Sequence, residues 1–293
     1  MKSFSLVAAQ ILVTVMLLGV GFGLHAQPQN QVAYELISEV RSIAPDQAFD
    51  VAIKLDPKPG WHIYWINPGD NGQAPRVSWE LPEGFTAGEF QYQVPHFVPF
   101  QGTMSYGYDD ETLFLVTIQP GSDIAETNKL SGKVSWLACD DSICLPGNGN
   151  VSLNLPKGDG QLNSKWKSDF QSARDAHPTL VDWSSSYTAT EEEIVLHVDL
   201  PFEVSVDSEI WVFPTVKKLI DHAQPQKIQF GDKSLRIQTP AGARHHRYEE
   251  ITAVLRVKNN EGETQHYEFQ SARVEQLTEQ KFGTEKSRSP FDK

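Results

Sequence analysis

Apolar and polar residues alternate along much of the chain, which is typical of β-strands with one buried face. Large apolar side chains occupy every second position in residues 49–55 and again in residues 151–155. Clusters rich in Pro, Gly, Asn and Asp separate such segments, as in residues 56–60 and 67–72, and predict turns. Short alternating segments between frequent turns indicate an antiparallel β-sandwich, which we expect over residues 32–156.

A second β-rich region follows a change in composition. Residues 157–180 predict a linker with a short helix over residues 163–176, where apolar side chains follow helical spacing until Pro178. Alternation returns in residues 181–274 and predicts a second sandwich, which would act as a docking or spacing domain. The polar residues 275–293 predict a disordered tail. The expected fold class is therefore all-β, with two antiparallel β-sandwich domains joined by a linker.

The amino-terminal segment indicates export. Lys2 is followed by an apolar run over residues 6–24, and Ala26 provides a small residue for cleavage. This pattern predicts a signal peptide over residues 1–26, although the run is long enough to serve instead as an uncleaved membrane anchor. The formal net charge of −13, without basic clusters, argues against nucleic acid as a partner. We therefore expect an exported protein in a compartment where disulfides persist.

The two cysteines of the chain, Cys139 and Cys144, carry its most distinctive chemistry. A bridge across so short a loop would stabilise the fold by only about 2 kcal/mol, so a structural role is a weak explanation. A redox role needs an accessible thiolate, which the neighbouring Asp140 and Asp141 would oppose. Metal binding is a third possibility, but no histidine stands within ten residues of either cysteine. Spacing and compartment leave these three interpretations open.

Several motifs come in a recognisable order along the first region. They are GWHIYWINPGDNG at residues 60–72, PRVSW at 75–79, LPEGF at 81–85, YGY at 106–108 and WLACDDSICLPG at 136–147. Together they resemble the N-terminal domain of the thiol:disulfide interchange protein DsbD, in the form found in its relative ScsB, over about residues 32–156. The second region resembles ScsB-type proteins more loosely, through residues 211–214 and 220–226.

The resemblance implies an immunoglobulin-like sandwich with the redox pair at one edge. It also implies that Cys144 attacks the partner disulfide and that Cys139 resolves the mixed intermediate. Phe100 is the candidate aromatic of a cap loop over the sulfurs, and a buried core position is the alternative for it. Tyr64 and His62 would lie beside the cysteines, although ordinary strand packing would also explain both residues.

The resemblance further implies a periplasmic location and two partners, which are a membrane-embedded thiol–disulfide donor and a periplasmic disulfide-bonded protein. No cofactor and no metal are expected. Full-length members of the family continue into transmembrane helices and a thioredoxin-like domain, and this sequence includes neither. We therefore expect either that a separate membrane protein is the donor or that the relay role has been lost. The cysteines are separated by one residue fewer than in the best-known member. The rival hypothesis is a non-catalytic secreted binding protein with a single structural disulfide.

Overall fold

Strands dominate the structure, a computed structural model that describes residues 30–278 and 280–292. The predicted signal peptide, residues 1–26, lies outside the described residues. None of the helices in the described part of the chain is long and apolar enough to cross a membrane. The all-β prediction is confirmed, because only one short α-helix interrupts the succession of strands in these residues.

The first ten strands form three small sheets that enclose one core, which we call the first sandwich. The sheets have the strand orders β1-β2-β8-β5, β10-β9-β4 and β3-β7-β6, and all their pairings are antiparallel. The strands are β1 (Val32–Ser38), β2 (Phe49–Pro57), β3 (Ile63–Gly69), β4 (Arg76–Glu80), β5 (Thr86–Ala87), β6 (His96–Phe100), β7 (Thr103–Tyr108), β8 (Thr112–Gln119), β9 (Thr127–Cys139) and β10 (Cys144–Pro156). The core between the sheets includes Ile53, Trp65, Tyr106, Phe114 and Val134.

The helix of the linker, α1 (Lys167–Asp175), begins four residues later than predicted. Leu162 pairs with the first sandwich as an isolated bridge, and the Asn163 backbone N–H also donates to that sandwich, so these residues extend instead of coiling. Phe170 and Ala173 are buried on the outer face of β2 and β8. The linker therefore covers an apolar sheet face and is part of the packed structure.

The remaining strands form one curled sheet, which we call the second sandwich. Its order is β14-β17-β18-β12-β13-β16-β15-β19, with β11 paired to β18 off this path. Most pairings are antiparallel, but β11 and β12 each pair with β18 in parallel. The strands are β11 (Thr179–Leu180), β12 (Ser185–Ala189), β13 (Glu193–Asp199), β14 (Glu209–Pro214), β15 (Gln226–Gly231), β16 (Ser234–Pro240), β17 (Glu250–Lys258), β18 (Thr264–Arg273) and β19 (Glu285–Arg288).

The prediction of a disordered tail over residues 275–293 is wrong for β19. This strand pairs with β15, and Lys286 forms a 2.9 Å ion pair with Asp207. An edge strand can form through backbone hydrogen bonds alone, so its polar composition hides it from a search for alternating apolar residues. Glu279 and Lys293, which belong to the same predicted tail, lie outside the described residues.

The two sandwiches share part of one core. Trp211, Phe213 and Val254 of the second sandwich belong to the same buried apolar cluster as the core of the first. Phe97 contributes to this shared cluster, with ring centroids 4.7 Å from Trp211 and 5.2 Å from Phe213. The side chain of Asn67 is fully buried and donates to the Pro214 and Val216 carbonyls at 2.7 and 2.9 Å. The predicted turn over residues 67–72 therefore starts too early, since β3 continues through Gly69 and carries Asn67 into the interface.

Candidate functional site

The two cysteines are joined in a disulfide where β9 ends and β10 begins. They are direct partners across the hairpin, with Cα atoms 4.0 Å apart. The backbone of Cys139 exchanges hydrogen bonds with His62 on its other side, at 2.9 and 3.1 Å. Cys139 and Cys144 thus oppose each other as a pair without mutual backbone hydrogen bonds, the arrangement in which Cα atoms lie closest. The hairpin itself brings the two sulfurs within bonding reach.

The turn between the cysteines is built by Asp140. Its Oδ1 accepts the backbone N–H of Ser142 at 2.7 Å and of Ile143 at 2.8 Å, and its own N–H donates to the Ile143 carbonyl. Asp side chains favour turns because they accept such nearby amide protons. From the sequence, Asp140 is expected only to oppose thiolate formation by its charge. In the structure its carboxylate also shapes the loop between the two cysteines.

The two cysteines differ in exposure. Cys139 is 2% exposed and belongs to the buried set, whereas Cys144 is exposed at the start of β10. Ile143, directly before it, is 51% exposed. Thiol–disulfide exchange requires the attacking thiolate to reach a disulfide sulfur, so access decides which sulfur reacts first. An external thiol can approach Cys144 and is kept from Cys139.

A hydrogen-bond chain ends on the buried sulfur. The hydroxyl of Tyr64 donates to Cys139 Sγ at 2.8 Å, and His62 Nε2 lies 3.1 Å from the Tyr64 oxygen. Because the single Tyr64 proton is used on the sulfur, His62 completes the chain by donating from Nε2. His62 precedes β3 and Tyr64 stands two residues later, so both side chains lie on the same side of the strand. The structure brings together Tyr64, His62 and Cys139.

Burial sets the protonation of this chain. It raises the pKa of Tyr64 to about 12, so the hydroxyl keeps the proton that it donates to the sulfur. It also lowers the pKa of His62, and the carboxylates of Asp109, Asp141 and Asp140 oppose that effect only in part. At neutral pH both side chains are therefore neutral hydrogen-bond donors rather than ions.

Gly72 also belongs to the site, although the sequence predicted it only as part of the turn at residues 67–72. Its φ of +114° suits glycine, and a β-carbon at this position would lie 2.2 Å from the Tyr64 ring. Only a glycine leaves room for the ring in its present place. The signal for it was the NPGDNG segment at residues 67–72, whose spacing alone does not reveal which side chain it accommodates.

Phe100, the candidate cap residue, lies at the end of β6, where it pairs with Thr103 across the β6–β7 hairpin. The hydrogen bonds and ring contacts found among the described residues do not connect Phe100 to either cysteine. An indirect link exists, because Asn71 Nδ2 donates to Thr103 Oγ1 at 2.9 Å and Gly72 follows Asn71. The hairpin that carries Phe100 is thus tied to the loop against which Tyr64 packs.

The side-chain groups of the site are the two sulfurs, the Tyr64 hydroxyl and the His62 imidazole. Within residues 30–278 and 280–292 there is no group of three or more His, Cys, Asp or Glu side chains placed to hold a metal ion. The chemistry that the arrangement can perform with its own atoms is the making and breaking of the Cys139–Cys144 bond.

Comparison with known proteins finds a family match in the first sandwich. Residues 33–156 match the family model described as "Thiol:disulfide interchange protein DsbD, N-terminal". This segment, which is less than half of the chain, is similar to the DsbD N-terminal domain. The matched segment runs from β1 to β10 and contains both cysteines and the Tyr64 chain. The match supports thiol–disulfide interchange as the chemistry of the pair. A comparison with curated protein sequences found no match.

A solved structure supports the fold over both sandwiches. The N-terminal periplasmic domain of ScsB from Proteus mirabilis aligns with a TM-score of 0.59 at 15% identity, covering 85% of this chain and 96% of that chain. At this identity the similarity concerns the fold alone, and it agrees with the expected immunoglobulin-like architecture. The YadV chaperone, at 8% identity, covers 80% of this chain and 98% of its own with a TM-score of 0.21. That score is too low to carry an argument.

Proposed function

We propose that the chain is an exported thiol–disulfide interchange module that passes reducing equivalents through Cys139 and Cys144. The observation that carries the proposal is the asymmetry of the pair. Cys144 is exposed, while Cys139 is 2% exposed and its sulfur accepts the Tyr64 hydroxyl at 2.8 Å. A purely structural bridge has no need for one accessible sulfur and one sulfur held by a hydrogen-bond donor.

In the reducing direction, the Cys144 thiolate attacks one sulfur of a partner disulfide. A Cys144–partner bond forms, the partner's S–S bond breaks, and the displaced partner sulfur leaves as a thiolate that takes up a proton. Cys139, as a thiolate, then attacks the Cys144 sulfur, which restores the Cys139–Cys144 bond and releases the second partner thiolate. The partner gains two electrons and two protons, and the module is left oxidised.

Regeneration reverses these roles. A donor thiolate attacks the exposed Cys144 sulfur, and Cys139 leaves as a thiolate. The donor's second thiolate then attacks its own mixed-disulfide sulfur and frees Cys144, so the donor becomes the disulfide. Tyr64 stabilises the Cys139 thiolate as it leaves, because a hydroxyl binds a charged sulfur more strongly than a neutral one. His62 orients that hydroxyl by donating to its oxygen at 3.1 Å.

The partners and the location belong to the same proposal. The donor would be a membrane-embedded thiol–disulfide protein, and the acceptor a disulfide-bonded protein of the periplasm. The predicted signal peptide and the family match over residues 33–156 support this assignment. Within the proposal, residues 32–156 are the redox domain, residues 181–274 are a second domain that supports it, and Phe100 acts as a removable cap.

The experiment compares Cys139→Ser with the matched variant Cys144→Ser, each reduced and then mixed with glutathione disulfide. We expect Cys139→Ser to accumulate a stable mixed disulfide at Cys144, detected by intact mass, because no resolving thiol remains. Cys144→Ser should react about a hundredfold more slowly, because its remaining thiol is buried. The wild type should pass on to the intramolecular disulfide, with a reduction potential above about −300 mV.

Two results would contradict the proposal in different ways. If Cys144→Ser forms the adduct and Cys139→Ser does not, the two cysteines have the opposite roles. If neither variant reacts and the wild-type potential lies well below about −300 mV, the bridge is structural, as in a secreted binding protein.

A separate variant tests the cap. Phe100→Ala, with both cysteines retained and reduced, should react faster than the wild type with a small thiol probe. An unchanged rate would remove Phe100 from the site.

A further inference from the structure

A cleft of about 450 Å³ opens between the two sandwiches and the linker. It does not include the cysteines or the Tyr64 chain. The first sandwich, the linker and the second sandwich each contribute part of its wall. Clefts of this size at domain interfaces are the usual place for small-molecule sites. The residues that line it are Trp65, Ile66, Phe90, Gln91, Tyr92, His177, Pro178, Leu180, Thr215, Thr252 and Glu268.

The wall of the cleft on the first sandwich is aromatic. Phe90 and Tyr92 are half-buried there, with ring centroids 6.1 Å apart, and Trp65, which also lines the cleft, is nearly fully buried. Two large apolar side chains at the cleft remain open to solvent, because Leu180 is 76% exposed and Ile66 is 39% exposed. The cleft thus offers apolar and aromatic surface to a ligand.

The wall on the second sandwich carries one carboxylate, that of Glu268 on β18. Glu268 is half-buried, and the ion pairs found among the described residues do not include it. Burial alone raises the pKa of Glu268, with no nearby cation to counter it. The lining of the cleft contains no Lys or Arg. A carboxylate removed from water in this way gains from any cation that enters.

A neighbouring cleft between the same sandwiches shows the contrast. There Glu209 lies 3.4 Å from Arg256 and 4.0 Å from Lys258, so the protein supplies the counter-charges itself. Glu268 stands two residues after His266, which lines that other cleft, yet it has no such partner. The lack of a positively charged partner is therefore a feature of the cleft around Glu268 and not of the whole interface.

We propose that the aromatic cleft binds a small organic cation with an apolar body, such as a quaternary or alkylated ammonium compound. Aromatic rings attract such cations through their negative faces, and aromatic cages are a known way to recognise quaternary ammonium groups. The carboxylate of Glu268 supplies the opposite charge, and Leu180 and Ile66 supply apolar contact for the carbon groups. The site is independent of the disulfide chemistry proposed above.

The charge of the cleft decides how binding depends on pH. The other titratable side chains in its lining are His177 and Tyr92; burial lowers the pKa of His177 and raises that of Tyr92 to about 12, so both are neutral at pH 7. Glu268 then carries the only charge of the lining. Cation binding should be strongest above the raised pKa of Glu268 and weaken as the pH falls through it.

The experiment measures binding of choline and of its neutral carbon isostere, 3,3-dimethylbutan-1-ol, to the full chain by ligand-observed NMR. We expect choline to bind the wild type about tenfold more tightly than the isostere. Glu268→Gln keeps the shape of the side chain and should remove that preference. Glu261→Gln is the matched control, because Glu261 is exposed at the β17–β18 turn and lies outside the cleft.

A second variant tests the rings. Phe90→Leu keeps an apolar side chain at the cleft and removes the aromatic face, so it should weaken choline more than the isostere. Equal binding of choline and the isostere to the wild type, or no choline binding at all, would overturn the proposal. So would a choline preference that survives in Glu268→Gln, because the carboxylate would then not be its source.

Discussion

The two sandwiches both consist almost entirely of strands, but they differ in sheet organisation and contribute differently to the molecule. The first ends its β9–β10 hairpin with two cysteines, one of them exposed, and so carries the reactive chemistry. The second contains no cysteine, and its β14–β17 region supplies Trp211, Phe213 and Val254 to the core of the first. A spacer would meet its neighbour through a small polar surface, whereas this interface is apolar and buried. The comparison teaches that the second sandwich packs against β3, β6 and β7 of the first, and β3 is the strand that carries Tyr64.

Loss of the Phe213 ring should have the largest effect on this comparison. Phe213 is fully buried where the two sandwiches meet. We expect Phe213→Ala to lower the free energy of unfolding by about 3–5 kcal/mol, the usual cost of removing a buried ring. Because the lost contacts join the two sandwiches, we also expect faster hydrogen exchange in residues 96–108 of the first sandwich, measured by mass spectrometry.

Phe269→Ala is the matched control, because Phe269 is equally buried but belongs to the core of the second sandwich alone. Phe269→Ala should lower the free energy of unfolding by a similar amount and leave the interface intact. The midpoint of denaturation should therefore shift, and unfolding should remain a single transition. Phe213→Ala should instead separate unfolding into two transitions. If Phe213→Ala costs less than about 1 kcal/mol and does not change exchange in residues 96–108, the sandwiches are independent and the second is a spacer.

Acid should weaken the same interface through His222. Its Nδ1 lies 3.0 Å from the Tyr106 hydroxyl, and burial lowers the pKa of His222 to about 4. The folded state therefore binds this proton less readily than the unfolded state, whose histidine has a pKa near 6.5. The contribution of neutral His222 to the free energy of unfolding is fully present above about pH 6.5. It falls as the pH drops from there toward 4, by about 3 kcal/mol in total.

Chemical denaturation at a series of pH values measures this effect. His222→Gln cannot titrate, so its stability should fall less steeply than that of the wild type between pH 6.5 and 4. His246→Gln, at an exposed position in the second sandwich, should keep the wild-type slope. Parallel slopes for the wild type and His222→Gln would show that the buried histidine does not couple the interface to pH.

The sequence predicted the parts of the fold that depend on local pattern. Alternation in residues 49–55 corresponds to β2, and the two cysteines do flank a short turn between paired strands. It failed where a distant partner decides the outcome. The sequence around Asn67 predicts a turn, but in the fold its side-chain amide donates to the carbonyls of Pro214 and Val216. The polar segment of β19 forms a strand because it pairs with the edge of β15.

The candidate site divides in the same way. Cysteine spacing drew attention to residues 139–144, and the family resemblance drew attention to Tyr64 and His62. Neither source could give the hydrogen bond from Tyr64 to the sulfur of Cys139 or the difference in exposure between the cysteines, because both arise from packing of β3 against the hairpin. No spacing rule along the chain connects residues that lie 75 positions apart.

The smallest effect that we predict concerns a single hydroxyl. Tyr64→Phe keeps the ring against Gly72 and removes only the donor to Cys139 Sγ. A hydrogen bond to a charged group contributes about 1.5–3 kcal/mol, so reduction of the disulfide by glutathione should slow by about tenfold or more, since Cys139 leaves without its donor. Stopped-flow measurement of the oxidised protein at pH 7 gives this rate.

The control is Tyr92→Phe, because the Tyr92 hydroxyl donates to the Pro75 carbonyl at 3.0 Å and not to a sulfur. Both variants lose one hydroxyl from a half-buried or buried tyrosine, so both should lose some stability, but only Tyr64→Phe should change the exchange rate. An absorbance titration at 240 nm on the reduced Cys144→Ser variant should also show a higher pKa for the Cys139 thiol when Tyr64 is replaced. Equal exchange rates and equal thiol pKa values in the two tyrosine variants would contradict this prediction. They would mean that Tyr64 does not change the reactivity of the disulfide, and that the exposure of Cys144 alone sets it.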